Sequence, residues 1–147
     1  VQGHIGLTPQ TASALGGFKM RGKDAQAAKR IVDDARALED AGAFSMILEA
    51  VPAPLGKIIA EAVSVPVIGI GAGSQVDGQV LVTHDMIGLF DKFVPKFVKQ
   101  YTKIRPTIIE AMKSYKEDVI KEIFPAQEHC FTMPDEALAE LKKMITL

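Results

Sequence analysis

The chain is poor in the residues that staple a protein, anchor it or steer it toward a charged partner. Among its 147 residues there is one cysteine, Cys130, no tryptophan, and an aromatic content of only 6%. A single thiol forms no internal disulfide and favours a reducing compartment, so a cytoplasmic location is expected. Neither sign of charge dominates: 17 Lys and Arg against 18 Asp and Glu leave a formal net charge of −1. That balance offers no electrostatic footprint for nucleic acid or an anionic membrane surface, and neither is expected as a partner. No apolar stretch reaches the ~18 residues of a membrane-spanning helix. The N-terminus lacks the basic and apolar pattern of a signal peptide. Internal repeats and low-complexity segments are missing too. The chain opens on Val1-Gln2-Gly3-His4-Ile5-Gly6-Leu7, a strand already under way with no initiator Met. That opening reads as a segment of a longer polypeptide or as a processed chain.

What is present is ordinary for a globular domain: 48% hydrophobic and 24% charged residues, enough for one sizeable core. Residues 3–7 predict a short strand, followed by a long loop over 8–23 containing Gly16-Gly17 and Arg21-Gly22. Long loops in compact domains are often functional. Asp24 is a plausible N-cap for a helix over 25–41, whose apolar positions Ala28, Ile31, Val32, Ala35 and Leu38 recur at helical spacing before Gly42. A strand over 44–51, a helix over 54–63 and a strand over 65–70 follow. Residues 77–81 read as a short helix and 82–88 as a strand, although such a crossover is shorter than the dozen or so residues a parallel pair usually needs. A helix is expected over about 103–123, with Pro106 in its first turn, and a terminal amphipathic helix over 134–145. Strands alternating with helices imply a parallel sheet. An eight-unit barrel takes ~250 residues, so the chain suits about half of one; a small doubly wound sheet is the alternative.

Two strand ends carry the chemistry. Phe44, Met46, Ile47 and Leu48 form a buried apolar run that closes on Glu49. The carboxyl ends of parallel strands hold the active sites of α/β enzymes. A carboxylate there, partly desolvated by Leu48 and Val51, suits a general base; the bland alternative is a solvated carboxylate beginning a loop. The next strand opens into Gly69-Ile70-Gly71-Ala72-Gly73. This is no dinucleotide fingerprint, because Ser74 stands where the third glycine belongs, and it lacks the Lys of a P-loop. Gly69, Gly71 and Gly73 either relieve crowding at the mouth of the sheet or offer backbone amides to a ligand. His4, flanked by Gly3 and Ile5, is by itself more readily a hydrogen-bonded structural residue than a catalytic one. His84-Asp85 would point to opposite faces of a strand, and Glu128-His129-Cys130 lacks a second set of ligands. No metal ligand is assigned in the chain.

Several segments in register resemble the ketopantoate hydroxymethyltransferase family. They are Gly-His-Ile-Gly-Leu-Thr-Pro-Gln at 3–10, Leu-Glu-Ala-Val-Pro at 48–52, Pro-Val-Ile-Gly-Ile-Gly-Ala-Gly at 66–73, and Asp-Gly-Gln-Val-Leu-Val at 77–82 with His84-Asp85. Phe124-Pro125 and Glu128-His129 complete the set, so the resemblance runs to about residue 131, short of the C-terminal segment. It implies the second half of a (β/α)8 TIM barrel of the phosphoenolpyruvate/pyruvate superfamily. Residues 1–147 would then be the C-terminal part of a single barrel domain, with C-terminal helices from about 103. It further implies transfer of a hydroxymethyl group from 5,10-methylenetetrahydrofolate to 3-methyl-2-oxobutanoate, giving 2-dehydropantoate in pantothenate biosynthesis. In that chemistry a bound Mg²⁺ chelates the keto acid and stabilises its enolate. Glu49 matches the base that removes the C3 proton, and His4 matches a contact to the keto acid. The family's metal-ligating aspartates and substrate-binding lysine belong to the first half of the barrel, so Mg²⁺ ligands are expected outside this chain. Large homo-oligomers, often decamers, are the family's habit. The rival expectations are a lyase or mutase of the same superfamily and a non-catalytic half barrel, whose two open sheet edges would need a partner.

Overall fold

The computed structural model of the protein describes residues 1–11, 17 and 19–145. Its first unit, Val1–Lys103, is built on a parallel sheet of four strands. These are β1 (Gln2–Gly6), β2 (Ser45–Glu49), β3 (Val67–Ile70) and a two-residue β4 (Gly78–Gln79). Helices α1 (Ala25–Asp40) and α2 (Ala53–Ala62) make the crossovers between the first three strands. The strand order is β1-β2-β3-β4, each strand laid on the far side of the one before. A doubly wound sheet reverses that direction at a switch point. Here no reversal occurs, and the unit winds as successive βα units of a TIM-barrel wall.

Register decides what each face carries. Gly3 pairs with Met46 and Ile5 with Leu48, while Met46 pairs with Val67, so these side chains share the helix-covered face. Against them lie Ile31 and Ala35 of α1 and Leu55 and Ile59 of α2. Met46, Leu48, Ile59 and Val67 are less than 2% exposed, and burying a side chain of that size stabilises by ~1.5–3 kcal/mol. The other face carries His4, Ile47, Glu49, Ile68 and Ile70, all half-buried. Helix α1 starts where expected: Asp24 Oδ1 accepts from the Ala27 amide at 2.8 Å. It stops at Gly42, whose amide donates to Glu39 O while that of Ala43 donates to Leu38 O, the paired bonds of a Schellman end.

The segment after β3 corrects the sequence expectation. Residues 77–81, expected as a helix, contain β4; residues 82–88, expected as a strand, contain α3 (Thr83–Met86). The reason is a contact ten residues long. Asp77 Oδ2 accepts from the Val67 amide at 2.8 Å, and the Asp77 amide donates to Val67 O at 3.0 Å. These bonds fold Asp77 back onto the start of β3 and lay Gly78 and Gln79 beside it. Gln79 Nε2 then donates to Gly73 O at 2.8 Å, holding the short connection closed without a helix. Beyond it, Met86 N bonds to Val82 O and Ile87 N to Thr83 O, so the backbone groups are spent within one helical turn rather than in a ladder.

The second unit, Ile104–Leu147, carries α4 (Arg105–Ile120), a 3₁₀ turn at Gln127–His129 and α5 (Asp135–Ile145). Pro106 falls in the first turn of α4, where its missing amide costs nothing. Within this unit Tyr115 and Phe124 meet edge to face at 5.6 Å, and Phe124 lies 5.1 Å from the His129 ring. Apolar side chains on both helices remain exposed, among them Met112, Tyr115, Val119, Leu141 and Met144. No helix among the described residues is long and apolar enough to cross a membrane.

Candidate active site

Glu49 is the last residue of β2 and sits between Gly6 of β1 and Ile70 of β3. The backbone around it is held from both sides. Leu7 N donates to Glu49 O at 2.9 Å, Ala50 N to Ile70 O at 2.9 Å, and Val51 N to Gly71 O at 3.2 Å. Ala50 itself adopts a left-handed conformation, with φ 50°, and its carbonyl accepts from the Arg21 amide at 2.9 Å. A non-glycine residue held there stores ~1–3 kcal/mol of strain, a cost commonly met beside functional side chains.

The structure brings together the two residues singled out in the sequence. His4 Nε2 lies 3.0 Å from Glu49 Oε2, with the side chains 30% and 14% exposed respectively. The contact is diagonal, since His4 is in register with Ile47 and it is Gly6 that faces Glu49. An added Cβ on Gly6, at φ 84°, would stand 2.3 Å from Glu49 O, so only a residue without a side chain fits beside the strand end. Ile47, Ile68 and Ile70 flank the pair on the same face. A shielded carboxylate fixed by one imidazole beside apolar side chains can accept a proton from carbon.

Of the three glycines expected in a ligand loop, Gly69 lies inside β3 instead, in register with Gln79, and only Gly71 and Gly73 follow the strand. Gly69 is buried, and a Cβ there would meet Val76 Cγ2 at 2.8 Å. Gly71 and Gly73 have φ values of 67° and 86°, a region side chains rarely adopt. Their carbonyls accept from the Val51 amide and from Gln79 Nε2. His84 and Asp85 lie in α3 rather than on a strand. In the tail, His129 Nδ1 accepts from the Ala126 amide at 3.1 Å and Cys130 Sγ donates to Ala126 O at 3.4 Å, both closing a local turn. Among the described residues no group of three or more His, Cys, Asp or Glu could hold a metal ion.

Sequence reasoning missed Ala50 and Phe97. The ring of Phe97 lies against Gly71, at the mouth of the sheet beside the Glu49 strand end. No local signal marks either, because each depends on which strands become neighbours. A cleft of about 880 Å³ opens between β1 and α1, lined by His4, Gly6, Arg21 and Arg30 among others. It shares His4 with the pair but does not take in Glu49. Part of the long loop expected to be functional, residues 12–16 and 18, lies outside the described residues.

Comparison with known proteins converges on one family. A family model for ketopantoate hydroxymethyltransferase matches residues 1–127. The 3-methyl-2-oxobutanoate hydroxymethyltransferase of Syntrophomonas wolfei is 53% identical over 141 residues, 96% of this chain and 51% of that protein. The protein of the same name from Oleidesulfovibrio alaskensis is 54% identical over 136 residues, 92% of this chain and 47% of its own. That from Geobacillus kaustophilus is 53% identical over 136 residues, 92% and 49% of the two chains. The chain spans about half the length of the curated relatives it matches.

Proposed function

Since the chain belongs to the ketopantoate hydroxymethyltransferase family, we propose that it provides the proton-abstracting part of that enzyme's active site. Glu49 is the base that takes the C3 proton of 3-methyl-2-oxobutanoate. The electron pair left on carbon then attacks the methylene carbon of 5,10-methylenetetrahydrofolate, whose first C–N bond has opened; water replaces the remaining nitrogen, so that 2-dehydropantoate, on the way to pantothenate, and tetrahydrofolate are released. The observation that supports this reading is the shielded Glu49 carboxylate at a strand's carboxyl end, 3.0 Å from His4. Its backbone is fixed by hydrogen bonds to both neighbouring strands, so the carboxylate needs little rearrangement to act.

Mg²⁺ belongs to the same reading, but the described residues of this chain do not fit a magnesium site on their own. Its ligands are then supplied from outside residues 1–147, and the steps assigned here are those of Glu49 and its neighbours. With this go a cytoplasmic homo-oligomer and a barrel domain of which residues 1–147 form the C-terminal part.

The test is exchange of the C3 proton of 3-methyl-2-oxobutanoate in D₂O with Mg²⁺ present, followed by NMR. A full-length enzyme carrying this chain should exchange, and Glu49→Gln should lower the rate ~10²–10⁴-fold while keto-acid binding is kept. Near-normal exchange in the variant would place the base elsewhere. Absence of exchange by residues 1–147 alone, beside an active full-length enzyme, would favour a non-catalytic half barrel.

A further inference from the structure

The hydrogen-bonding capacity of one imidazole limits what His4 can do. Glu49 Oε2 is a carboxylate oxygen and can only accept, so the proton between it and His4 Nε2, 3.0 Å away, is carried on the imidazole. In a neutral ring the other nitrogen, Nδ1, is then an acceptor. The keto and carboxylate oxygens of 3-methyl-2-oxobutanoate are acceptors as well. A neutral His4 that holds Glu49 has no proton left to offer them. The two roles, holding the base and donating to the keto acid, exclude each other in that state.

We propose that His4 is a positioning residue for Glu49, and that while its ring is neutral it donates no hydrogen bond to the substrate. This rests on the reading of Glu49 as the base. The geometry suits the task. His4 is carried on β1 between Gly3 and Ile5, both buried against the helix layer. Its ring spans two register positions to reach Glu49, across the place where Gly6 presents no side chain. Held at Oε2, the carboxylate loses the freedom to rotate away, while the lone pairs of Oε1, which His4 does not engage, are left to take a proton. Misplacing a catalytic group by about 1 Å costs ~10²-fold in rate, the order of effect expected from removing the imidazole.

The experiment is the C3 exchange assay on a full-length enzyme carrying this chain, with kcat and KM for 3-methyl-2-oxobutanoate measured separately. His4→Ala should lower kcat by ~10–10²-fold and leave KM within about twofold. His4→Gln, whose amide nitrogen donates in place of Nε2, should recover at least tenfold of that loss. If His4→Ala fails to fold, His4→Gln against the non-donating His4→Met makes the same comparison. A KM that rises while kcat is kept would overturn the proposal and make His4 a substrate contact. So would His4→Gln no better than a folded His4→Met. Unimpaired exchange in Glu49→Gln is a different result: it removes Glu49 as the base, and the positioning role of His4 falls with it.

Discussion

The ring of Phe97 fills the space that a side chain on Gly71 would need: an added Cβ would stand 2.6 Å from Phe97 Cδ1. Gly71 also has φ 67°. Gly71→Ala therefore combines left-handed strain with overpacking and should destabilise by ~2–4 kcal/mol. Adding Phe97→Ala removes the clash and leaves only the conformational part, ~1–2 kcal/mol. A double-mutant cycle by urea unfolding checks this; additive losses would show that the two residues do not compete for one space.

Ala50 presents a different balance. Its left-handed backbone, φ 50°, lies one residue beyond Glu49. Ala50→Gly relieves ~1–2 kcal/mol of strain and returns ~0.5–1 kcal/mol through the entropy of the unfolded chain. Stability should rise by at most ~1.5 kcal/mol, whereas Ala50→Val, a branched side chain at positive φ, should lose ~2–3 kcal/mol. If the strained turn aims Glu49, the stabilised glycine variant should exchange the C3 proton about tenfold more slowly. Urea midpoints read the first pair of outcomes, and the exchange assay reads the last.

How much of this was legible depends on the range of the forces involved. Asp24, Ile31, Ala35 and Gly42 announce α1 because cap, stripe and stop lie within a few turns of one another. The apolar runs of β2 and β3 are local as well, and Glu49 could be picked out from its position at the end of one of them. The His4–Glu49 contact could not, since it joins residues 45 apart and exists only in one register of β1 on β2. The exchange of helix and strand after β3 has the same origin: Asp77 returns to the Val67 amide, a choice that periodicity over 77–88 does not contain. The strand end and the family resemblance both pointed to Glu49 as a base; neither showed that His4 touches it.

The end of α4 offers a stabilising change. Glu122 stands at φ 57°, with its amide bonded to Val119 O and that of Ile123 to Asp118 O. This is the same Schellman arrangement that Gly42 makes after α1, here carried by a residue with a side chain. Glu122→Gly should raise stability by ~1 kcal/mol, while Gly42→Ala should lower it by a similar amount. Thermal unfolding of the two variants checks the pair; a destabilised Glu122→Gly would mean that its side chain holds the turn in another way.

Acid should weaken the link between α1 and the turn before β3. Glu39 Oε1 accepts from the Ser64 amide at 2.7 Å and from the Ser64 hydroxyl. The hydroxyl bond first, and the amide bond after it, hold the Glu39 carboxyl below its ordinary value of 4.5. A carboxyl lowered on folding contributes stability that is present above its unfolded value and is lost as pH falls through the folded one. Glu39→Gln never ionises, so it should be less stable than the unsubstituted protein near pH 7, and the gap should close as pH drops well below 4.5. The contact with Ser64 lies at the surface, so the gap should also shrink in high salt. Thermal midpoints of both proteins between about pH 7 and about pH 2 measure it. A gap that stays constant across that range would assign the Ser64 contact to hydrogen bonding alone, with no contribution from the charge on Glu39.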